Sequence, residues 1–519
     1  MLSLLLQDTT TPISATPVIN TPEVVWSSLA PLLILVLGGI LLLTLVSLLR
    51  GRTPSWFHAA WTVVVAGAAL ASLWPLWRRV LDDGPASLIG GAVGLDGFSL
   101  FITGIICISV ILAALLLEGY LRREDLVSPE WYVLMLLSAS GGVIMASAND
   151  LIVFFIGLEI LSVAAYVLAA MHTRRVSSSE AGLKYLILGA FSSAFLLYGI
   201  AMTYGATGST NLARIQQFLS DTFLVKNGLL LTGFAFLIVG LGFKVAAVPF
   251  HFWAPDVYQG SPTPVSGYMA SGIKAAGFAG FIRIFVVTFG PAYAQQWRPM
   301  VYALAVLSLF LGAYMALIQT NVKRMLAYSS ISHAGFILVG VTVATDKGTS
   351  AALFYLLVYA FMVTGSFGVV AVVGRSGDGM HNLADYQGLG RTRPGIALLF
   401  TVFLLAQAGV PFTGGFLSKF YVIAAAADAK QYVLAVAAMV SAVVAAYLYL
   451  RIIVSMYFAG GDDHGEVPEM VDPPARRIPA GAAIALALAV VATLWLGIIP
   501  DTVTSVANDA VARLVAVQR

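Results

Sequence analysis

The chain has 519 residues; 59% are hydrophobic and 10% charged, against about 25% charged residues in an average soluble domain. With a mean hydropathy of +0.91, this composition excludes a soluble globular enzyme and indicates a polytopic membrane protein. The net charge of +3 is too small and dispersed for a nucleic-acid partner.

A spanning helix needs about 20 mainly apolar residues. Fourteen such runs are predicted, at 26–49, 56–77, 98–121, 131–148, 150–171, 180–206, 228–258, 262–288, 299–318, 325–344, 349–373, 396–427, 431–458 and 478–499. They are numbered spans 1 to 14. Residues 1–22 contain no Lys or Arg, unlike the basic start of a signal peptide, and read as a loose tail. Alternate connections are unequal in basic residues, thirteen against nine. The richer set, which includes Arg122, Arg123, Arg174, Arg175, Lys323 and Arg324, is expected on the cytoplasmic side. Fourteen crossings then place both termini on the outer, periplasmic side of a bacterial plasma membrane.

One cysteine, Cys107, cannot form an internal disulfide, a structural zinc site or an iron–sulfur cluster. The six histidines show no repeated spacing of the kind that holds haem in a bundle. No metal or cofactor is therefore expected in this chain.

Six basic residues fall inside the spans: Lys184, Lys244, Lys274, Arg283, Lys419 and Arg451. A charge at mid-bilayer costs about 2.5–3.5 kcal/mol, less near a helix end, where a long side chain can reach the interface. Arg283 and Arg451 lie within two turns of a span end and read as such anchors. Lys184 follows Glu180 by four residues, the spacing of a stabilising helix-surface pair, so a structural and a functional role stand side by side. Lys244, Lys274 and Lys419 are deep, and the only comparably deep acid is Glu159 in span 5. Ionisable groups at that depth mark ion or proton paths; the alternative is a set of buried ion pairs holding helices together, against which three lysines face one glutamate.

Two spans carry breakers near these amines. Pro249 follows Lys244 in span 7; Pro411, Gly414 and Gly415 precede Lys419 in span 12. Backbone freed at such a break is tolerated only where it is buried in protein or lines a hydrated cavity. The breaks are five spans apart. Spans 4–8 and 9–13 therefore read as two five-helix units inserted in opposite directions, a transporter arrangement. The resulting parts are 1–130 (tail and spans 1–3), 131–288 (first unit), 289–458 (second unit) and 459–519 (loop, span 14 and tail). The row Gly272, Ala276 and Gly280 permits close approach of another helix at Lys274.

Lys244 to Gly277 reads KVAAVPFHFWAPDVYQGSPTPVSGYMASGIKAAG, Ala327 to Gly335 reads AYSSISHAG, and Gly409 to Phe420 reads GVPFTGGFLSKF, with Gly157-Leu158-Glu159 upstream. These strings resemble the antiporter-like membrane subunits of respiratory complex I, the NADH:quinone oxidoreductase, from about span 3 to span 13. The N type is the nearest: the M type looks different in carrying glutamate where Lys419 stands, and the L type in its long C-terminal lateral helix. The resemblance implies the fourteen-helix, inverted-repeat fold and a role in proton translocation. It implies that Glu159 and Lys244 pair and part, that Lys184 modulates them, that Lys274 is the central proton carrier and Lys419 lies near the exit, and that His251 and His333 lie along the hydrated axis. It implies M-type and small K- and J-type membrane subunits as partners, with lipids around them, and FMN, iron–sulfur clusters and quinone held in partner subunits. A subunit of an Mrp-type cation/proton antiporter or of a membrane-bound hydrogenase, and a non-transporting membrane spacer, share enough of these features to stand as alternatives. The loop 460–477 carries no recognisable signal.

Overall fold

The structure is a computed structural model that describes residues 24–49, 53–222, 224, 227–458 and 478–512. The tail 1–22 and the loop 460–477 lie outside these residues. Thirteen helices are long and apolar enough to cross a membrane. They correspond to all the predicted spans but the twelfth, which consists of two 15-residue helices, Pro394–Ala408 and Gly414–Asp428. The helices differ in how much they bury. Val322–Val343 (span 10) is enclosed over its whole apolar window and Thr263–Thr288 (span 8) over 89% of its own, against 28% for Trp26–Leu48 (span 1) and 33% for Ala480–Ile498 (span 14). Spans 8 and 10 thus form the interior, and the outermost helices turn apolar side chains such as Leu41, Val443 and Val491 outward. In lipid those residues need no cover, because the surrounding tails are as apolar as they are.

Helix ends are closed by side chains, since unmatched backbone N–H groups are costly away from water. Asp96 starts Gly97–Glu124 (span 3) with a reciprocal capping box to Ser99; Asp150 starts Leu151–Ala170 (span 5) and Asn321 starts span 10. Span 7 begins as Gly228–Val245, stops where Ala246 turns left-handed, and resumes as Trp253–Gly260. The span predicted at 228–258 takes this broken form, with Lys244 in the last turn before the gap. In span 12, Gly409 takes φ +93° and a Cβ on Gly415 would sit 1.8 Å from the Ala406 carbonyl oxygen, so both positions require glycine. Span 8 contains two wider π turns, Met269–Ile273 and Ile282–Thr288, on either side of the helical stretch that Lys274 opens. On its small-residue row, a Cβ at Gly280 would lie 2.4 Å from the ring of Phe154.

The connections alternate between two faces, and each face has its own polar ties. On one, a hairpin of Ala86–Leu88 and Val93–Leu95 leads into span 3. The side-chain amides of Asn149 and Asn211 donate to the Gly91 carbonyl at 3.0 and 2.8 Å, linking the connections before spans 3, 5 and 7. The other face carries Arg123, Arg175 and Lys323. There Asp378, between spans 11 and 12, accepts from Arg175 and Lys323 at 2.9 Å each and from Thr263 at 2.7 Å, and lies 3.1 Å from His381 Nε2. Alongside, Glu124 accepts from the Gly377 amide at 2.6 Å, and Arg123 donates to the Ala371 and Gly374 carbonyls. Four connections from both predicted units thus meet around one buried carboxylate, with the connection before span 4 alongside.

Two sequence expectations are corrected here. Arg283 is not an interfacial anchor: it is buried and bonds Asp96 through Nη2 at 2.8 and 2.9 Å and the Ala146 carbonyl through Nε at 2.6 Å. Asp96, at the start of span 3, is buried as well, and Lys323, grouped with the loops, is fully enclosed. The partners that make this possible are 187 residues from Arg283 and 55 from Lys323.

Burial opposes ionisation of Asp378, yet Lys323, His381 and Arg175 together hold its carboxyl well below the usual range. A carboxyl lowered on folding stabilises above its unfolded value of about 3.9 and loses that contribution as pH falls through the folded value. Asp378→Asn strands two buried cations and is expected to cost about 3–5 kcal/mol. Thermal unfolding in detergent should show a deficit that is constant from neutral pH to about pH 5 and shrinks only in stronger acid. Arg283→Met should also destabilise, and Arg283→Met with Asp96→Asn, which leaves no stranded charge, should recover part of the loss in the same assay.

Candidate functional site: a buried row of lysines

Lys244, Lys274 and Lys419 are each about 95% or more buried, at 4%, 2% and 5% exposure. Among the described residues none has an acidic oxygen within 4 Å, and each ammonium is met by neutral oxygen. Lys244 Nζ donates to Ser162 Oγ at 2.8 Å and sits 5.8 Å from the centre of the Tyr185 ring. Ser162 gives its own hydrogen to the Leu158 carbonyl, so its oxygen is free to accept. Lys274 Nζ donates to the carbonyl of Ser330 at 2.8 Å and to its hydroxyl, beneath the Tyr359 ring at 5.9 Å. Lys419 Nζ donates to the Ala408 carbonyl at 2.9 Å, with the Phe336 ring 5.0 Å away.

The breaks explain these partners. Ala408 ends the first half of span 12, so its carbonyl has no continuing helix to bond. The Lys419 ammonium fills that place at the negative end of the helix dipole. Lys244 likewise occupies the last turn before the gap in span 7. Pro249 and Pro411 lie inside the two gaps; Gly414 and Gly415 open the second half of span 12.

Glu159 stands one turn before Ser162 on span 5, with its Oε1 buried and unmatched by any described donor. Glu159 and Lys244 are therefore neighbours with their contact open. A cavity of about 10 Å³ adjoins Lys244, Ser162 and Tyr166, room for roughly one water molecule. His333 is buried, with Nδ1 2.6 Å from the Tyr355 hydroxyl and Nε2 3.0 Å from that of Tyr449. It stands between the surroundings of Lys274 and Lys419: Tyr359 packs on both His333 and Lys274, and Phe336 on both His333 and Lys419. His251 is half-buried within the gap of span 7.

Lys184 is placed differently. It is partly exposed and bonds Glu180 at 2.7 Å and Asp256 at 2.8 Å; Asp256 also binds Arg324. It faces a cavity of about 350 Å³ bordered by Arg175, Asp378 and Asn382. The structure does not bring it to Lys244; the neighbouring Tyr185 takes that position. Sequence reasoning missed the oxygen atoms and rings that hold the amines: Ser162, Ser330, Tyr185, Tyr355, Tyr359 and Tyr449. A signal was present for some. Ser162 follows Glu159 by three residues, and Ser329 and Ser330 precede His333 by four and three, each set on one helix face.

A family profile described as NADH:quinone oxidoreductase/Mrp antiporter, transmembrane, matches residues 148–445, the stretch that holds Glu159, the three lysines and His333. A relative in Trichlorobacter lovleyi called NADH-quinone oxidoreductase subunit N is 41% identical over 449 residues, covering 86% of this chain and 89% of that protein. A chain of respiratory complex I from Thermus thermophilus superposes with a TM-score of 0.75 at 34% identity, over 92% of this chain and 98% of the other. A chain of a membrane-bound sulfane sulfur reductase, an archaeal respiratory membrane complex, gives 0.80 at 26% identity, over 94% and 98%. With the lysine row on broken helices inside the matched region, the chain belongs to the family of NADH:quinone oxidoreductase/Mrp antiporter membrane subunits.

Proposed function

We propose that this chain is a proton-translocating membrane-arm subunit of an NADH:quinone oxidoreductase, moving protons along Glu159, Lys244, Lys274, His333 and Lys419. The observation that carries the reading is the pairing of each buried lysine with a neutral oxygen. A neutral acceptor can hold an ammonium, but it does not lock the proton in place as a permanent counter-ion would. The same observation speaks against a passive spacer, whose buried charges would be matched in fixed ion pairs.

Burial disfavours a charged amine, and an approaching carboxylate restores it. At 4 Å and an effective dielectric near 20, one opposite charge is worth about 4 kcal/mol, roughly a thousandfold in proton affinity. Closure of Glu159 onto Lys244 loads the amine; withdrawal to the open geometry releases the proton towards Lys274. Moving one charge against 100 mV costs about 2.3 kcal/mol, within that swing. FMN, iron–sulfur clusters and quinone belong in this reading to partner subunits, which drive the Glu159–Lys244 step through conformational or electrostatic coupling. The adjoining partners are an M-type subunit and small K- and J-type subunits. The face holding Asp378 is cytoplasmic, both termini are periplasmic, and spans 4–8 and 9–13 are inverted units. Lys184, in its ion-pair network, adjusts the cytoplasmic mouth and not the amine directly.

In membrane vesicles Glu159→Ala or Lys244→Ala should abolish most proton pumping coupled to NADH oxidation, and Glu159→Gln with Lys244→Met should be no better. Retention of pumping by the double variant would return the chain to the role of a spacer. Ser162→Ala removes the acceptor of the Lys244 ammonium, a charged hydrogen bond of about 1.5–3 kcal/mol. Coupled pumping should slow by roughly tenfold or more while the complex, sized by native electrophoresis, stays assembled.

A further inference from the structure

Starting from the orientation of the Gln407 amide, donor counting gives one consistent direction to the hydrogen bonds around His333. Gln407, the residue before Ala408 on span 12, is buried, and its Nε2 donates to Ser366 Oγ of span 11 at 2.6 Å. That contact turns Oε1 towards Ser329 of span 10, whose hydroxyl donates to it at 3.3 Å. A hydroxyl has one hydrogen to give. Ser329 has used its own, so in its 2.6 Å contact with Tyr449 it accepts and the phenol donates. Tyr449 has then used its hydrogen as well, so its oxygen accepts from His333 Nε2. A neutral imidazole with its hydrogen on Nε2 presents Nδ1 as an acceptor, and the Tyr355 hydroxyl donates to it. The order is Tyr355 to His333 to Tyr449 to Ser329 to Gln407, across spans 11, 10, 13 and 12, and it ends one residue from the carbonyl that holds Lys419.

We propose that Gln407 is a positioning residue for proton transfer: clamped by Ser366, its amide holds His333 in the Nε2–H form and leaves Nδ1 as the atom that receives a proton. The proposal rests on His333 lying on the proton route. The Tyr355 hydroxyl passes its hydrogen to Nδ1 as its oxygen takes up the arriving proton, so the phenol stays neutral, the ring becomes imidazolium, and its other N–H points through Tyr449 towards spans 12 and 13. Half a turn of the amide would place Nε2 against Ser329 as a donor, reverse both hydroxyls and move the ring hydrogen to Nδ1. The Tyr355 and Ser366 hydroxyls turn to match and no charge changes, so the orientation of one amide decides which ring nitrogen accepts.

The test uses the whole membrane complex with ¹⁵N-labelled histidine. The nitrogen spectrum of the His333→Gln complex is subtracted to isolate His333. The unmodified complex should show Nε2–H. Gln407→Leu and, independently, Ser366→Ala should move His333 towards Nδ1–H or a mixture and slow coupled proton translocation by about fivefold, the weight of one hydrogen bond. Assembly is checked by NADH oxidation with a water-soluble acceptor. An unchanged His333 spectrum in both variants overturns the role of Gln407. A changed spectrum with translocation intact also overturns it, by showing that His333 lies off the route. The spectrum is read without pumping, so the two failures are distinguishable.

Discussion

An ammonium removed from water must be given oxygen, and in a bundle of apolar helices the backbone has almost none to spare. Regular helices consume their own carbonyls, so oxygen becomes available only where a helix stops, widens or carries a hydroxyl. Two of these devices meet the deep lysines: the hydroxyls of Ser162 at Lys244 and of Ser330 at Lys274, the latter with its own carbonyl, and the terminal carbonyl of Ala408 at Lys419. The broken spans are thus the means by which charge is carried inside the membrane region. At Lys419 break and amine form one requirement; at Lys244 and Lys274 a serine on a neighbouring helix meets it.

The two kinds of buried charge in this molecule contrast. Arg283 with Asp96, and Lys323 with Asp378, are closed and bonded on several sides at short distances. The lysines of the row are held singly by neutral groups. Paired charges suit permanence, since breaking either partner strands the other. Singly held amines suit exchange. The same residue types, at similar burial, are divided between framework and proposed route by what faces them.

Much of this was legible in the chain. Apolar runs gave the number of crossings, and Pro249, Pro411 and the glycines of span 12 marked discontinuities because their backbone effects are local. Lys244, Lys274 and Lys419 stood out because a charge in an apolar run is costly wherever it lands. The partners were not legible. A serine or tyrosine inside such a run carries little penalty and so little signal, which hid Ser162, Ser330 and Tyr449. Asp378 sits among loop residues whose composition looks solvated, and its ligands are gathered from across the sequence; only the packing shows that it is enclosed. Arg283 was misjudged for the same reason: nearness to a span end is local, whereas Asp96 arrives from another helix.

The cluster at Asp378 also limits how the molecule can move. Inverted-repeat carriers usually work by swinging one unit against the other as rigid bodies. Here a single carboxylate is a keystone at which strands of both halves are fastened, so that end of the bundle behaves as a fixed plinth. Tilting one half as a block would tear the Arg175–Asp378 ion pair and the Thr263–Asp378 hydrogen bond. On the proposed route, the freedom left by this fastening lies in rotamers, hydroxyl reorientation and hydration, closer to a set of electrical relays than to a rocking gate.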